Sequence, residues 1–195
     1  SEPWFWIVTL VGLATLLVGA YAAIFQHDLK GLLAYSTISH LGLITLLFGL
    51  SEPLAVVAGV FHILNHAIFK ASLFMSAGII DHECGTRDLR RINGLMKLMP
   101  FTATLGIVAS LSMAGVPLLN GFLSKEMFFA EALAKDSHAA MEWLLPAAAT
   151  LAGALSVAYS LRFIHDTFFN GEPVGLPKTP HEPPFLMRLP VILLV

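Results

Sequence analysis

Charge is scarce in this sequence. Only 12% of its 195 residues are Asp, Glu, Lys or Arg, against about 25% in a soluble domain, while 56% are hydrophobic and the mean hydropathy is +0.77. Such a chain has too little polar surface to face water, so most of its exterior faces lipid. The net charge of −2, with no run of Lys or Arg, leaves no phosphate-binding stripe and excludes nucleic acid as a partner. Cysteine is nearly absent: a lone Cys84 excludes an internal disulfide and a thiolate cluster, and leaves the redox compartment open. No leader is visible either. The opening SEPWFWIVTLVGL has neither an initiator Met nor a basic n-region, and the closing LPVILLV stops inside an apolar run too short to span, so both ends read as cut from a longer polypeptide.

What the sequence does hold is a series of long apolar runs, which predicts an all-α, polytopic transmembrane helix bundle of about five spans and a truncated sixth. A crossing takes roughly 20 apolar residues, and residues 4–25, 29–50, 54–80 and 141–169 supply such lengths. Trp4 and Trp6 suit an interfacial anchor, and Asp28 suits a cap for the second helix. The stretch 100–134 is too long for one straight crossing and is interrupted by AGVPLLNG, with Gly115, Pro117 and Gly121. It predicts a helix broken near 115–124. Irregular backbone at membrane depth persists only where protein or a cavity satisfies it, and such breaks point to transport sites. Residues 81–99, DHECGTRDLRRINGLMKLM, read as a solvated loop able to dock a further polypeptide of a complex, and 170–184, with five prolines, as an extended linker before a last span from 185. The whole chain is one transmembrane region. Lys and Arg crowd the loops at 26–30, 81–99 and 170–184 over those near Glu52 and Lys135, which makes the first set cytoplasmic and the N-terminus external.

Titratable groups stand where they are most expensive. In FHILNHAIFK, His62, His66 and Lys70 follow at four-residue steps, each drifting only about 40° around a helix and together spanning about 12 Å. Asn65 flanks this stripe. An ionised Lys at mid-membrane costs from about 3 to more than about 10 kcal/mol, so a relay that hands protons on through one or two waters explains its presence. Two other readings stand beside it. The histidines could tie helices together while Lys70 snorkels, although Lys70 to Ile80 is about 15 Å of helix, far for an easy snorkel. A metal pair at His62 and His66 finds no Glu or Cys nearby in the helix to complete it, so neither metal nor cofactor is expected.

A second stripe joins Ser36, Thr37 and His40, with Lys30 in line with Thr37; interfacial placement of Lys30 and back-bonding of the hydroxyls explain it equally well. Lys125 and Glu126 follow the break. If the crossing is broken at its middle, Lys125 is intramembrane and the dipole of the second half-helix favours a carboxylate at Glu126; if Pro117 ends a span, Lys125 is a wet loop residue. Arg162 and His165 read as interfacial anchors.

QHDLKGLLAYSTISHLG, FHILNHAIFKASLF and GVPLLNGFLSKEMFF, in that order, resemble the proton-conducting antiporter-like subunits shared by Mrp-type cation/proton antiporters and respiratory complex I. Within that family, IIDHECGTRDLRRINGL and AGVPLLNGFLSKEMFFAEAL are most similar to the large A subunits of Mrp sodium/proton antiporters. The resemblance implies two inverted five-helix repeats, of which this chain is the second, in a bacterial inner membrane. It implies a proton pathway of Lys125, Lys70, His66, His62, Lys30 and His40, supported by Glu126, Ser36, Thr37 and Asn65. It also implies a secondary transporter rather than an enzyme, exchanging Na+ or another monovalent cation for H+. Its partners would be small membrane subunits, lipid, and the first repeat and C-terminal part of the same polypeptide. The alternative is a proton-pumping subunit of a complex I type NADH:quinone oxidoreductase or a related hydrogenase; a non-transporting scaffold is a third reading.

Overall fold

The computed structural model describes residues 2–50, 52–133 and 141–195, so Ala134 and the turn expected at Lys135 lie outside the described residues. The described chain is all-helical: α1 (Glu2–Ile24), α2 (Leu29–Leu50), α3 (Pro53–Cys84), α4 (Pro100–Ala114), α5 (Asn120–Leu133), α6 (Met141–Ile164) and α7 (Phe185–Leu194). Helices α1, α2, α3 and α6 are long and apolar enough to cross a membrane. The bundle is apolar outside as well as inside: Ile7, Val18 and Leu54 are each at least 64% exposed, while Lys70, Lys125 and three histidines are buried. That inversion of the soluble pattern belongs to a membrane protein.

Local chemistry sets the ends. Asp28 caps α2 by accepting the Lys30 N–H at 3.0 Å. Pro53 and Pro100 begin α3 and α4, where the missing N–H is no loss. Helix α3 runs through Cys84 rather than stopping at Ile80, and ends where Gly85 turns left-handed with φ 69°. Asp81, His82 and Glu83 are therefore helical, and Glu83 is only 5% exposed. The solvated cluster expected there is a correction: Asp81 is taken up by Lys30 at 2.6 Å, and Glu83 lies between His82 at 2.9 Å and His181 at 3.2 Å. On the exposed loop, Arg90 donates two hydrogen bonds from its guanidinium and one from its backbone N–H to Asp88 and holds its carboxyl down at about 2.

Helices α1 and α2 pack along their whole length because glycines let the two backbones meet. A Cβ on Gly42 would lie 2.3 Å from the Leu16 nitrogen, and one on Gly12 would lie 2.4 Å from that of Leu46. Backbone cannot yield as a side-chain tip can. Gly42→Ala is expected to destabilise the bundle by about 1–3 kcal/mol through overpacking, lowering the thermal aggregation midpoint of the detergent-solubilised complex. Gly78→Ala, whose Cβ meets nothing within 4 Å, should leave that midpoint unchanged.

The break is narrower than 115–124. Gly115, at φ 87°, closes α4 by donating to the Leu111 and Ser112 carbonyls, and α5 starts at Asn120, so Gly121 lies in its first turn. Between them Leu118 adopts φ 78°, a left-handed conformation rare outside glycine, and is fully exposed. A Cβ at Gly121 would overlap the Ser112 carbonyl, which keeps the two half-helices in contact.

The proline-rich segment is a packed strap rather than a free linker. Lys178 donates to the His82 carbonyl at 3.0 Å, and Glu182 caps α4 by accepting from the Phe101 and Thr102 amides at 2.6 and 3.0 Å. Helix α6 runs on into a π turn, His165–Phe169, whose Thr167 and Phe168 carbonyls accept the Leu95 and Met96 amides. Arg162 donates to the Ile24 carbonyl and to Asp166 at 3.2 Å. His165 leans on Asp166 at 3.0 Å with most of its ring exposed.

Candidate functional site

The apolar core has two large lobes and a small third cluster of Ile79, Met99 and Val191. One gathers Leu29, Leu33, Phe69, Leu73, Ile80 and Phe163; the other gathers Leu16, Leu43, Leu47, Phe128, Leu145 and Ala149. On α2 the sequence passes from Leu33 in the first lobe to Leu43 in the second, and His40 falls between. His62 falls in the same seam on α3, between Ala58 and Phe69. Mid-helix side chains from α2, α3, α5 and α6 thus make one polar layer across an otherwise apolar bundle.

Within it, His40 and His62 stack with ring centres 5.2 Å apart, and His40 Nδ1 meets His62 Nε2 at 2.9 Å. His62 Nδ1 meets the Ser124 hydroxyl at 2.9 Å, and His40 Nε2 meets the Tyr159 hydroxyl at 3.2 Å. His66 stands 5.2 Å from His40 and 6.2 Å from His62, with Phe69 edge-on to all three rings. Its Nε2 and the Asn65 amide nitrogen are buried without hydrogen-bond partners among the described residues. The buried layer therefore has unused donors and acceptors.

The two lysines are satisfied differently. Lys125 reaches back across the break, donating to the Ala114 carbonyl at 3.0 Å and the Ser156 hydroxyl at 2.7 Å. It thus occupies the negative end of the α4 dipole instead of loading the start of its own helix. Lys70 donates to the Leu33 carbonyl at 3.2 Å and to the Ser36 hydroxyl, and Ser36 in turn donates to the Leu33 carbonyl at 2.8 Å. Among the described residues no carboxylate hydrogen-bonds any of these groups.

The expected site residues separate into two sets. Lys125, Lys70, His66, His62, His40, Ser36 and Asn65 are all buried. Lys30 stands apart, half-buried against Asp81 at the loop end of α2. Thr37 bonds back to the Leu33 carbonyl at 2.9 Å, and Glu126 is exposed. Unforeseen members are Ser124, Ser156, Tyr159 and Asp81. Ser156 and Tyr159 lie three apart on α6, one face of a helix, but serine in an apolar helix so often bonds its own backbone that this spacing carried no separate signal.

Residues 1–152 match the family model "NADH:quinone oxidoreductase/Mrp antiporter, TM". The chain is 67% identical over its whole length to a probable K(+)/H(+) antiporter A/B subunit of Rhizobium meliloti, covering 20% of that protein. It is 44% identical to the Na(+)/H(+) antiporter A subunit of Bacillus subtilis, covering 26% of it. It superposes with TM-score 0.87 at 38% identity on a chain of the Mrp complex from Dietzia sp. DQ12-45-1b, over 99% of this chain and 20% of that one. The chain thus spans about a fifth to a quarter of the length of the curated relatives it matches. The buried lysines and histidines, the helix broken at 115–119 and the match over 152 residues agree: this chain belongs to the NADH:quinone oxidoreductase/Mrp antiporter transmembrane family.

Proposed function

We infer that the chain is the second antiporter-like repeat of a large Mrp-type A subunit, conducting protons in a multi-subunit monovalent cation/proton antiporter of the bacterial cell membrane. One observation carries this reading. Lys125 sits at a helix break in an apolar bundle, and the buried imidazoles of His40 and His62 lie in the same layer, joined to each other at 2.9 Å. Isolated buried cations are costly, and groups that gain and lose protons are the ones a membrane protein retains for transport. Lys125 would hold a proton against the Ala114 carbonyl and release it as charge nearby changes. His62 and His66 would pass protons sideways toward Lys70, with water completing the gap between His66 and Lys70. Lys30, paired with Asp81, would stand at the cytoplasmic end, where the loops at 26–30, 81–99 and 170–184 face inward. Small Mrp-type membrane subunits, and the first repeat of the same polypeptide, would complete the path.

The cation is the finer question. The 67% identical relative is named for K+ and the 44% identical one for Na+, so K+ is the first candidate and Na+ the second. In everted vesicles carrying the complete complex, adding K+ or Na+ to an imposed proton gradient is expected to dissipate it without any redox substrate. Dissipation by neither ion would reject antiport. Proton movement only on addition of NADH and a quinone would favour the alternative that the family description itself covers, a pumping subunit of a complex I type enzyme.

A further inference from the structure

We propose that Tyr159 is the proton-carrying link between Lys125 and the imidazole pair, an inference that rests on the antiport reading above. Lys125 and His40 do not touch. Between them stand two hydroxyls of α6: Ser156, which accepts from Lys125 at 2.7 Å, and Tyr159, which reaches His40 Nε2 at 3.2 Å. The Ser39 and Ser156 side chains line the same small cavity as the phenol. Tyr159 is 1% exposed and Ser156 is 4% exposed, so neither hydroxyl can turn to bulk water.

These groups lie in one ordered run with a single gap, between Ser156 and Tyr159. Lys125 Nζ donates to Ser156 Oγ; across a cavity with room for about one water, Tyr159 donates to His40 Nε2, His40 Nδ1–H to His62 Nε2, and His62 Nδ1–H to Ser124, which donates on to the Gly121 carbonyl at 3.2 Å. With one water between Ser156 and Tyr159, every member but the first and last can both give and take a hydrogen bond, as a proton wire requires. In the transfer, one N–H bond of the Lys125 ammonium breaks as its proton joins Ser156 Oγ. The former Ser156 proton passes to the bridging water, a proton of that water joins the Tyr159 oxygen, and the former Tyr159 proton joins His40 Nε2. The products are a neutral amine at Lys125 and an imidazolium at His40; one positive charge has moved and no electron has changed owner. His40 then gives its Nδ1 proton to His62.

Among the described residues no other side chain hydrogen-bonds His40 Nε2. The cavity of about 20 Å³ beside the phenol, lined by Ser39, His40, Lys125, Ser156 and Tyr159, has room for about one water, which would bridge the Ser156 and Tyr159 hydroxyls. The ionisable groups facing the phenol are His40 from α2 and Lys125 from α5; α1 contributes Leu16 to this cavity.

The test uses the complete complex in everted vesicles, with Tyr159→Phe, Tyr159 replaced by a more acidic fluorotyrosine, and Lys125→Ala side by side. Tyr159→Phe removes one oxygen and keeps the ring; cation-driven proton movement should fall about tenfold or more at unchanged assembly. The fluorotyrosine keeps the hydroxyl and the packing, and it should shift the pH profile of transport, which a merely structural phenol would not do. This arm also decides the matter if the Phe variant assembles poorly. Transport above half the original rate in Tyr159→Phe, or an unmoved pH profile with the fluorotyrosine, overturns the link. If Lys125→Ala also transports normally, the antiport reading of the site falls with it; if only Lys125→Ala fails, the reading stands and Tyr159 alone is dismissed.

Discussion

Lys125→Ala in the complete complex is expected to lower cation-driven proton movement by about a hundredfold or more, and Lys125→Arg to lower it nearly as far. The pair of substitutions separates two roles for one side chain. Alanine removes the ammonium that spans the break between Ala114 and Ser156, so its effect alone would not distinguish lost transport from a loosened break. Arginine keeps the positive charge and adds donors, but it does not release its proton at any physiological pH. A lysine that merely ties α5 to α4 would be served by arginine. A lysine that must load and unload would not. Wild-type transport by Lys125→Arg, measured as gradient dissipation in vesicles with assembly checked on native gels, would reject the loading role.

His62→Gln carries the second large effect. Glutamine can still donate and accept, so it can stay between His40 and Ser124, but an amide does not exchange protons near neutral pH. Transport should fall about tenfold to a hundredfold while assembly holds. His62→Ala should show both defects. It strands His40 Nδ1, which now meets His62 at 2.9 Å, and leaves the Ser124 hydroxyl only its bond to the Gly121 carbonyl; the buried orphan costs about 1–3 kcal/mol. Normal transport by the glutamine variant would make the imidazole pair a helix tie and nothing more.

Much of this architecture is legible in the sequence because membranes impose few options. Apolar runs of the right length give helices, and Gly115 and Pro117 mark the break, since only an αL residue could close α4 where it ends. The four-residue spacing of His62, His66 and Lys70 puts them on one stripe whatever surrounds it. Less legible is which helices that stripe meets. Asp81 and Glu83 look like the start of a wet loop because charge usually ends a span, yet Lys30, 51 residues earlier in the chain, neutralises Asp81 and lets α3 continue to Cys84. Lys30 itself fits a helical line with Thr37 by spacing, and only the fold reveals that its partner is at the end of another helix. Ser124, Ser156 and Tyr159 gain their importance from contacts between α2, α3, α5 and α6, and no local pattern distinguishes a hydroxyl that bonds its own helix from one that bridges to another. The strap at 170–184 is a similar case: its prolines exclude helix, but its docking on Glu83, His82 and the start of α4 depends on loops far apart in sequence.

All of these expectations depend on the polar layer being a hydrated path enclosed by protein rather than a set of ties between helices. The most direct measurement is a density map of the complete complex in lipid, at a resolution that shows ordered water. The account predicts water beside Tyr159 and a file of waters bridging His66 to Lys70, with both lysines turned inward. Lys70 and Lys125 pointing into acyl chains, or a dry gap between His66 and Lys70 closed by apolar side chains, would contradict it.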